Sequence, residues 1–221
     1  MRDVGLLVFA VLTAGTGCDL VLGIDERGAT CPAGGVADGF DQNPPCAPWG
    51  RLRLDGAATA ENTSGELVAQ LAADGASAAS CLSALPAELS SEGAILEVTR
   101  VTTGASRYTI FGIGSAEPQF IGAEILVASE SLVLRVSGGG DVVTAQPYIA
   151  DAMRWWRLRF DRDASAIRAE YAHDGRAWKE LGLVTGTLPD TVHVAFGAVA
   201  VAATTPSSAV FGSIRFCTPD E

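Results

Sequence analysis

Residues 154–178 read RWWRLRFDRDASAIRAEYAHDGRAW, and this stretch decides the predicted fold. Trp156, Leu158 and Phe160 alternate with charged residues, so they lie on one side of an extended chain. The segments 161–164 and 173–176 are rich in turn-forming residues, and the chain is expected to reverse at each of them. We therefore predict a three-stranded antiparallel meander with one buried face.

The rest of the chain from Asp38 onward shows the same short apolar runs between turn residues. Turns are expected at Asp74-Gly75, at the glycines 138–140 and at Asp174-Gly175, because these residues tolerate positive φ angles. Twelve β-strands are predicted, at 51–54, 66–71, 78–84, 94–101, 107–113, 120–127, 132–136, 154–160, 166–171, 178–183, 192–202 and 209–216. With no capped helix between them, they indicate an all-β, antiparallel two-sheet sandwich. A short helix within the alanine-rich segment 57–90 is the alternative.

The composition supports one folded domain. The chain has 221 residues, of which 48% are hydrophobic and 19% charged, so it is too apolar and too weakly charged for disorder. The net charge of −11 argues against nucleic acid as a partner, because phosphate binding requires a clustered positive surface.

The N-terminus has the pattern of an export signal. A short charged start is followed by the apolar run 4–14, three small residues and Cys18. Cys18 resembles the cysteine of the bacterial lipoprotein lipobox, whose thiol is acylated with diacylglycerol and becomes the new N-terminus. The match is incomplete, since Gly15 stands where that family favours leucine. The alternatives are ordinary secretion and an uncleaved transmembrane helix over 4–24, with Asp19 inside the span.

These features divide the chain into four parts. We expect a signal peptide at 1–17, the lipidated Cys18 and a tether at 18–37, the sandwich at 38–217 and a tail at 218–221. The lipid would make the membrane a partner and place the protein in the bacterial cell envelope.

The remaining cysteines are Cys31, Cys46, Cys81 and Cys217. An even number in an oxidising compartment indicates two disulfides, with three connectivities open. Zinc-type spacing is absent and there are only two histidines, so no metal site is predicted from them.

The meander resembles part of a known superfamily. Trp156-Arg157-Leu158-Arg159, followed by YAHDGRAW at 171–178, is similar to the W-x-R-(I/L)-x … Y-S-x-D-G-x-x-W pattern of concanavalin A-like lectin/glucanase domains. Gly39-Phe40-Asp41 with Trp49 resembles their opening, and GSIRF at 212–216 resembles their closing strand. The resemblance implies a jelly-roll sandwich. The leader around Cys18 also resembles that of uncharacterised lipoproteins of myxobacterial type.

The same resemblance favours one disulfide pattern. First and last strands are antiparallel neighbours in the superfamily, which would bring Cys217 near Cys31. Some of its bacterial lichenases join the cysteine of a C-x-W opening to one further along the chain, and Cys46 and Cys81 match them. This implies Cys46–Cys81 and Cys31–Cys217. A local Cys31–Cys46 loop with Cys81–Cys217 is the alternative.

Catalysis is not predicted. Hydrolytic members of the superfamily carry E-x-D-x-(x)-E on one strand, where a period of two places the carboxylates on one face. Glu124, Leu126 and Ala128 occupy the corresponding positions here, and the segment 88–92 also lacks the central aspartate. The glycine-serine pair ending at Ser115 does not form G-x-S-x-G. A glycoside hydrolase is the remaining catalytic alternative.

Trp155, Arg157 and Arg159 are the predicted ligand-binding residues. A flat aromatic ring and forked guanidinium groups suit sugar rings and carboxylates. In the alternative interpretation, Arg159 pairs with Glu170 across the hairpin and Trp155 covers a small second core.

The predicted structural turn consists of Asp174, Gly175 and Trp178, with the aspartate fixing the loop as in an Asp-box. Calcium is the one cofactor considered, because some lectins of the superfamily use it. Its candidate ligands are Asp141, Asp161 and Asp163, although isolated surface carboxylates more often face solvent.

The predicted function is a lipid-anchored envelope protein whose non-catalytic, lectin-like sandwich binds a glycan or exopolysaccharide. The alternative is a structural or protein-interaction subunit of the envelope that binds no small ligand.

Overall fold

The computed structural model of the chain describes residues 35–47, 49–73, 75–84, 92–114, 122–136, 140–185 and 192–217. The predicted signal peptide, Cys18, most of the tether, Cys31 and the tail 218–221 lie outside these residues, as do Asp74 and two of the three glycines at 138–140. The described part of the chain contains no helix long and apolar enough to cross a membrane.

Fifteen strands and one single-turn 3-10 helix, Ala150–Ala152, make up the described secondary structure. The strands are β1 Gly35–Asp38, β2 Gly50–Asp55, β3 Thr59–Thr63, β4 Glu66–Leu71, β5 Gly75–Ser83, β6 Ala94–Arg100, β7 Arg107–Gly114, β8 Gly122–Ala128, β9 Ser131–Val136, β10 Val142–Pro147, β11 Trp155–Asp161, β12 Ala166–Ala172, β13 Lys179–Thr185, β14 His193–Ala203 and β15 Ser207–Cys217.

The strands form two antiparallel sheets packed as a sandwich. The eight-stranded sheet has seven strands in the order β13-β12-β11-β6-β15-β4-β3. Its eighth strand, β1, pairs with the C-terminal end of β15. The seven-stranded sheet has the order β10-β9-β8-β7-β14-β5-β2. The predicted all-β, two-sheet fold is therefore confirmed, and β11, β12 and β13 form the predicted meander.

The alanine-rich segment 57–90 is not helical where it is described. It contains β3, β4 and β5, so the alternative of a short helix is wrong for these residues. Leu67, Ala69 and Leu71 are buried at every second position of β4. The small side chains of β5 follow the same period, which is the period of a strand with one buried face.

Aromatic residues from the chain's opening and closing segments meet in the core. The ring centroid of Phe196 lies 4.9 Å from that of Phe211, 5.9 Å from that of Phe40 and 6.0 Å from that of Trp49. Trp49 also contacts Phe216 edge-on at 5.8 Å. The Trp49 indole donates to Asp38 Oδ2 at 2.6 Å, which satisfies its polar atom. The predicted opening and closing motifs are thus both core elements.

Two disulfide observations bear on the predicted pairing. Cys46 and Cys81 are bonded, as the resemblance implies, and they link the segment before β2 to β5. Cys217 is also disulfide-bonded. Gly35 lies directly opposite Cys217 in the β1–β15 ladder. This register supports Cys31–Cys217, which stays a prediction because Cys31 lies outside the described residues.

Candidate functional site

Strand β11 presents the two predicted faces at Trp155 to Leu158, whereas Phe160, which was predicted on the buried face, is only partly buried. Trp156 and Leu158 are fully buried in the main core, and the Trp156 indole donates to the Met153 carbonyl at 2.8 Å. Trp155, on the opposite face, is only 9% exposed and forms a small second cluster with Ile95 and Ala172. The outer face of this sheet therefore has a core of its own.

Arg157 and Arg159 share one buried carboxylate, that of Glu170 on β12. Arg157 Nε lies 2.7 Å and Arg159 Nε 3.0 Å from Glu170 Oε2, and Glu170 is only 6% exposed. The Arg157 guanidinium also stacks on Trp178, 4.2 Å from the ring centroid. These are the contacts expected in the alternative interpretation. The ligand-binding role of the two arginines stays a prediction.

One of the three candidate calcium ligands already has protein partners. Asp161 is occupied by its ion pair with Arg168 and by the Ala164 amide, which donates to Asp161 Oδ1 at 3.0 Å. The hydrogen bond from the Arg168 side chain and, to a smaller extent, the one from the Ala164 amide lower the pKa of Asp161. Asp141 and Asp163 are exposed. Among the described residues, no three His, Cys, Asp or Glu side chains form a group that could hold a metal ion.

A depression of about 430 Å³ lies where β11 begins, and we call it the Trp155 depression. It is lined by Glu97, Arg154, Trp155, His173, Asp174 and Arg176. Arg154 Nη2 lies 2.7 Å from Glu97 Oε1, and the Ser213 hydroxyl donates to the other carboxylate oxygen at 3.2 Å. The Nδ1 atom of His173 contacts the Asp151 carbonyl. Within the described residues, the Arg176 guanidinium has no ion-pair partner.

The turn between β12 and β13 closes one side of this depression. The amides of Arg176 and Ala177 donate to Asp174 Oδ1 at 2.9 and 3.0 Å. The hydrogen bonds from the Ala177 amide and then from the Arg176 amide lower the pKa of Asp174. Gly175 has a φ of 69°, and a Cβ atom there would lie 3.0 Å from the Trp155 ring. A glycine therefore suits this position, because any other side chain would be strained by the positive φ and would press on the indole.

Strand β8 lacks a second carboxylate on its outer face. The period of two places Glu124, Leu126 and Ala128 on one side, and Leu126 is buried. Glu124 Oε2 is held 2.7 Å from Arg135 Nε on the neighbouring strand β9. The described residues of β8 thus do not supply the carboxylate pair that a retaining glycosidase needs.

The Trp155 depression contains residues that were not predicted as site residues. Glu97 faces Trp155 because β6 pairs with β11, and this register joins segments far apart in the sequence. Arg154, His173 and Arg176 flank strands β11 and β12 at adjacent ends. The predicted reversal at 173–176 was the only sequence signal for this convergence.

The shared carboxylate yields a stability prediction. Glu170→Gln should lower the free energy of unfolding by about 2–4 kcal/mol, because two guanidinium groups lose their common partner in a nearly buried position. Urea unfolding at neutral pH measures this change. Glu180→Gln is the matched control, since this half-exposed carboxylate pairs with Arg168 and should contribute less than about 1 kcal/mol. Equal losses in the two variants would contradict the role assigned to Glu170.

Comparison with known proteins gives a likeness in structure only. No family model matches the sequence, and no curated protein matches it. The exoplasmic/lumenal domain of VIP36, in its Ca²⁺/Man3GlcNAc-bound form, is 12% identical with a TM-score of 0.56, and the match covers 85% of this chain and 89% of that one. The potassium-bound carbohydrate recognition domain of Emp46p is 11% identical with a TM-score of 0.53, covering 75% and 88%.

A third similar structure is the metal-free form of lectin I-B4 from Griffonia simplicifolia. It is 13% identical with a TM-score of 0.53, and the match covers 84% of this chain and 99% of that one. At such identities the likeness shows the fold alone. The chain therefore has the concanavalin A-like sandwich fold that its motifs indicated.

Proposed function

We propose that the protein is a non-catalytic glycan-binding module that is held at the cell envelope by a lipid on Cys18. The observation that carries the binding role is the Trp155 depression, a polar hollow beside a tryptophan on a lectin-type sandwich. The lipid and the envelope location rest on the N-terminal sequence pattern.

The chemistry of the depression suits a neutral polyhydroxyl ligand. Sugar hydroxyls both donate and accept hydrogen bonds, and this hollow offers both kinds of partner. Glu97 and Asp174 supply acceptor oxygens, while Arg154 and Arg176 supply donors. Because charges of both signs line the hollow, neither an anion nor a cation would be strongly favoured over a neutral ligand.

Arg157 and Arg159 have an indirect role in this proposal. Their guanidinium groups are bound to Glu170, and Arg157 also stacks on Trp178, which follows the turn at Asp174. They stabilise the strand and the turn that border the depression. Trp155 is the member of the predicted trio that lines the hollow itself.

Glycan binding is tested on an array followed by titration calorimetry. The wild-type protein should bind a defined set of glycans, and Arg176→Ala should weaken the binding roughly tenfold, since one charge-assisted hydrogen bond is lost. Arg162→Ala is the matched control, because this exposed arginine lies in the β11–β12 turn at the other end of the hairpin. Absence of binding by the wild type at millimolar glycan would overturn the proposal and favour the envelope protein without a small ligand.

Lipid attachment is tested by labelling cells with a clickable fatty acid. Label should appear on the wild-type protein and be lost in Cys18→Ala, because the acylated thiol is then absent. Equal labelling of both proteins would refute acylation at Cys18.

A further inference from the structure

The crossing segment 148–154 connects β10 to β11, and its last residue, Arg154, lines the Trp155 depression. A second hollow lies at the first residue of this segment, and we call it the Tyr148 cavity. Its volume is about 630 Å³, and its lining consists of 101–105, Val127, Ser129, Glu130, Pro147 and Tyr148. The crossing segment thus separates two hollows, because Tyr148 lines one and Arg154 lines the Trp155 depression.

The loop 101–105, which forms part of the lining of the Tyr148 cavity, is held in place by Arg107. This nearly buried side chain donates from Nη1 to the Thr103 carbonyl at 3.0 Å and from Nη2 to Thr205 Oγ1 at 2.7 Å. Gly104 packs so closely on the guanidinium that a Cβ atom there would lie 2.1 Å from Nη1. The Thr103 amide is also held, by Ser207 Oγ at 3.0 Å. The protein's own contacts therefore hold the loop in one shape, and such preorganisation lowers the entropic cost of binding.

Tyr148 forms the opposite wall. Its amide donates to the Glu130 carbonyl at 2.8 Å, and its ring packs against the main core. Burial, and to a smaller extent Asp151, raise the pKa of Tyr148 to about 12. Its hydroxyl therefore stays protonated at physiological pH and can donate a hydrogen bond.

The lining disfavours an anionic ligand and offers both polar and apolar surface. Hydroxyl groups come from Thr103, Ser129 and Tyr148, and apolar surface comes from Val101, Val127 and Pro147. Glu130 is the one charged residue among the described residues that line the cavity, so an anion would be repelled without meeting a cation. A sugar ring, with hydroxyls at its edge and C–H groups on its faces, has this combination of surfaces.

We propose that the Tyr148 cavity is a second subsite for an uncharged sugar unit of the same glycan that the Trp155 depression binds. The inference rests on the proposed function and deepens it, because it makes the ligand an oligosaccharide rather than a single sugar. Between the two hollows the crossing segment exposes Ile149, which is 57% accessible and offers an apolar surface for the intervening units.

The experiment is an NMR titration of the full exported protein in detergent micelles. With only three tyrosines and four tryptophans in the chain, ¹⁵N labelling of these residues makes the Tyr148 amide and the Trp155 indole separate reporters. The probes are mannose, glucose, galactose and N-acetylglucosamine, each as the monosaccharide and as oligosaccharides of increasing length. Longer members of one series should shift both reporters and bind more tightly than the monosaccharide.

Variants separate the two hollows. Tyr148→Phe and Thr103→Val each remove one hydroxyl and should weaken oligosaccharide binding about threefold to tenfold, leaving the monosaccharide affinity at the Trp155 depression unchanged. Tyr171→Phe on β12, outside both hollows, should change neither. Shifts confined to Trp155 at every length, with unchanged affinity in Tyr148→Phe, would overturn the second subsite while the proposed function stands. No shift of either reporter by any probe at millimolar concentration would overturn both.

Discussion

The alternation of side chains along β11 is the constraint on which the rest of the structure depends. A strand that places Trp156 and Leu158 on one face must have an apolar core on that side, and the second sheet supplies it. The same period places Arg157 and Arg159 on the other face, beside the hydrophobic contact of Trp155 with Ile95. Guanidinium groups in such surroundings require a partner, and Glu170 meets both of them from the adjacent strand.

The pairing of Glu170 with the two arginines on the outer face of β11 also positions the candidate site. Arg157 is fixed between Glu170 and Trp178, so the turn that precedes Trp178 starts from a rigid strand pair. Gly175 lets that turn rest on the Trp155 ring, and the Trp155 depression forms around the contact. The two arginines, whose ligand-binding role stays a prediction, thus hold the neighbours of the candidate site in place.

Most of the fold was predictable because burial alternates clearly in the central strands. Three strands were missed for identifiable reasons. β3 reads TAENT and has no apolar face, β10 contains a register shift and ends in a proline, and β1 is four residues of what reads as tether. In each case pairing to a neighbouring strand, which is a tertiary effect, overrides a weak local pattern. The site was less predictable: Trp155 could be found from the sequence, but the approach of Glu97 depends on strand register that no local pattern encodes.

The most direct test of this account is the measurement of cross-strand nuclear Overhauser effects around Trp156. In the structure this residue lies opposite Leu96 of β6 on one side and Tyr171 of β12 on the other, and both pairings are antiparallel. Hα–Hα or amide contacts are expected from Trp156 to both residues, in the antiparallel pattern. Contacts of the parallel pattern, a register shifted by one residue, or helical sequential contacts through 154–172 would contradict it, because none of them preserves the observed pairing of β11 with β6 and β12.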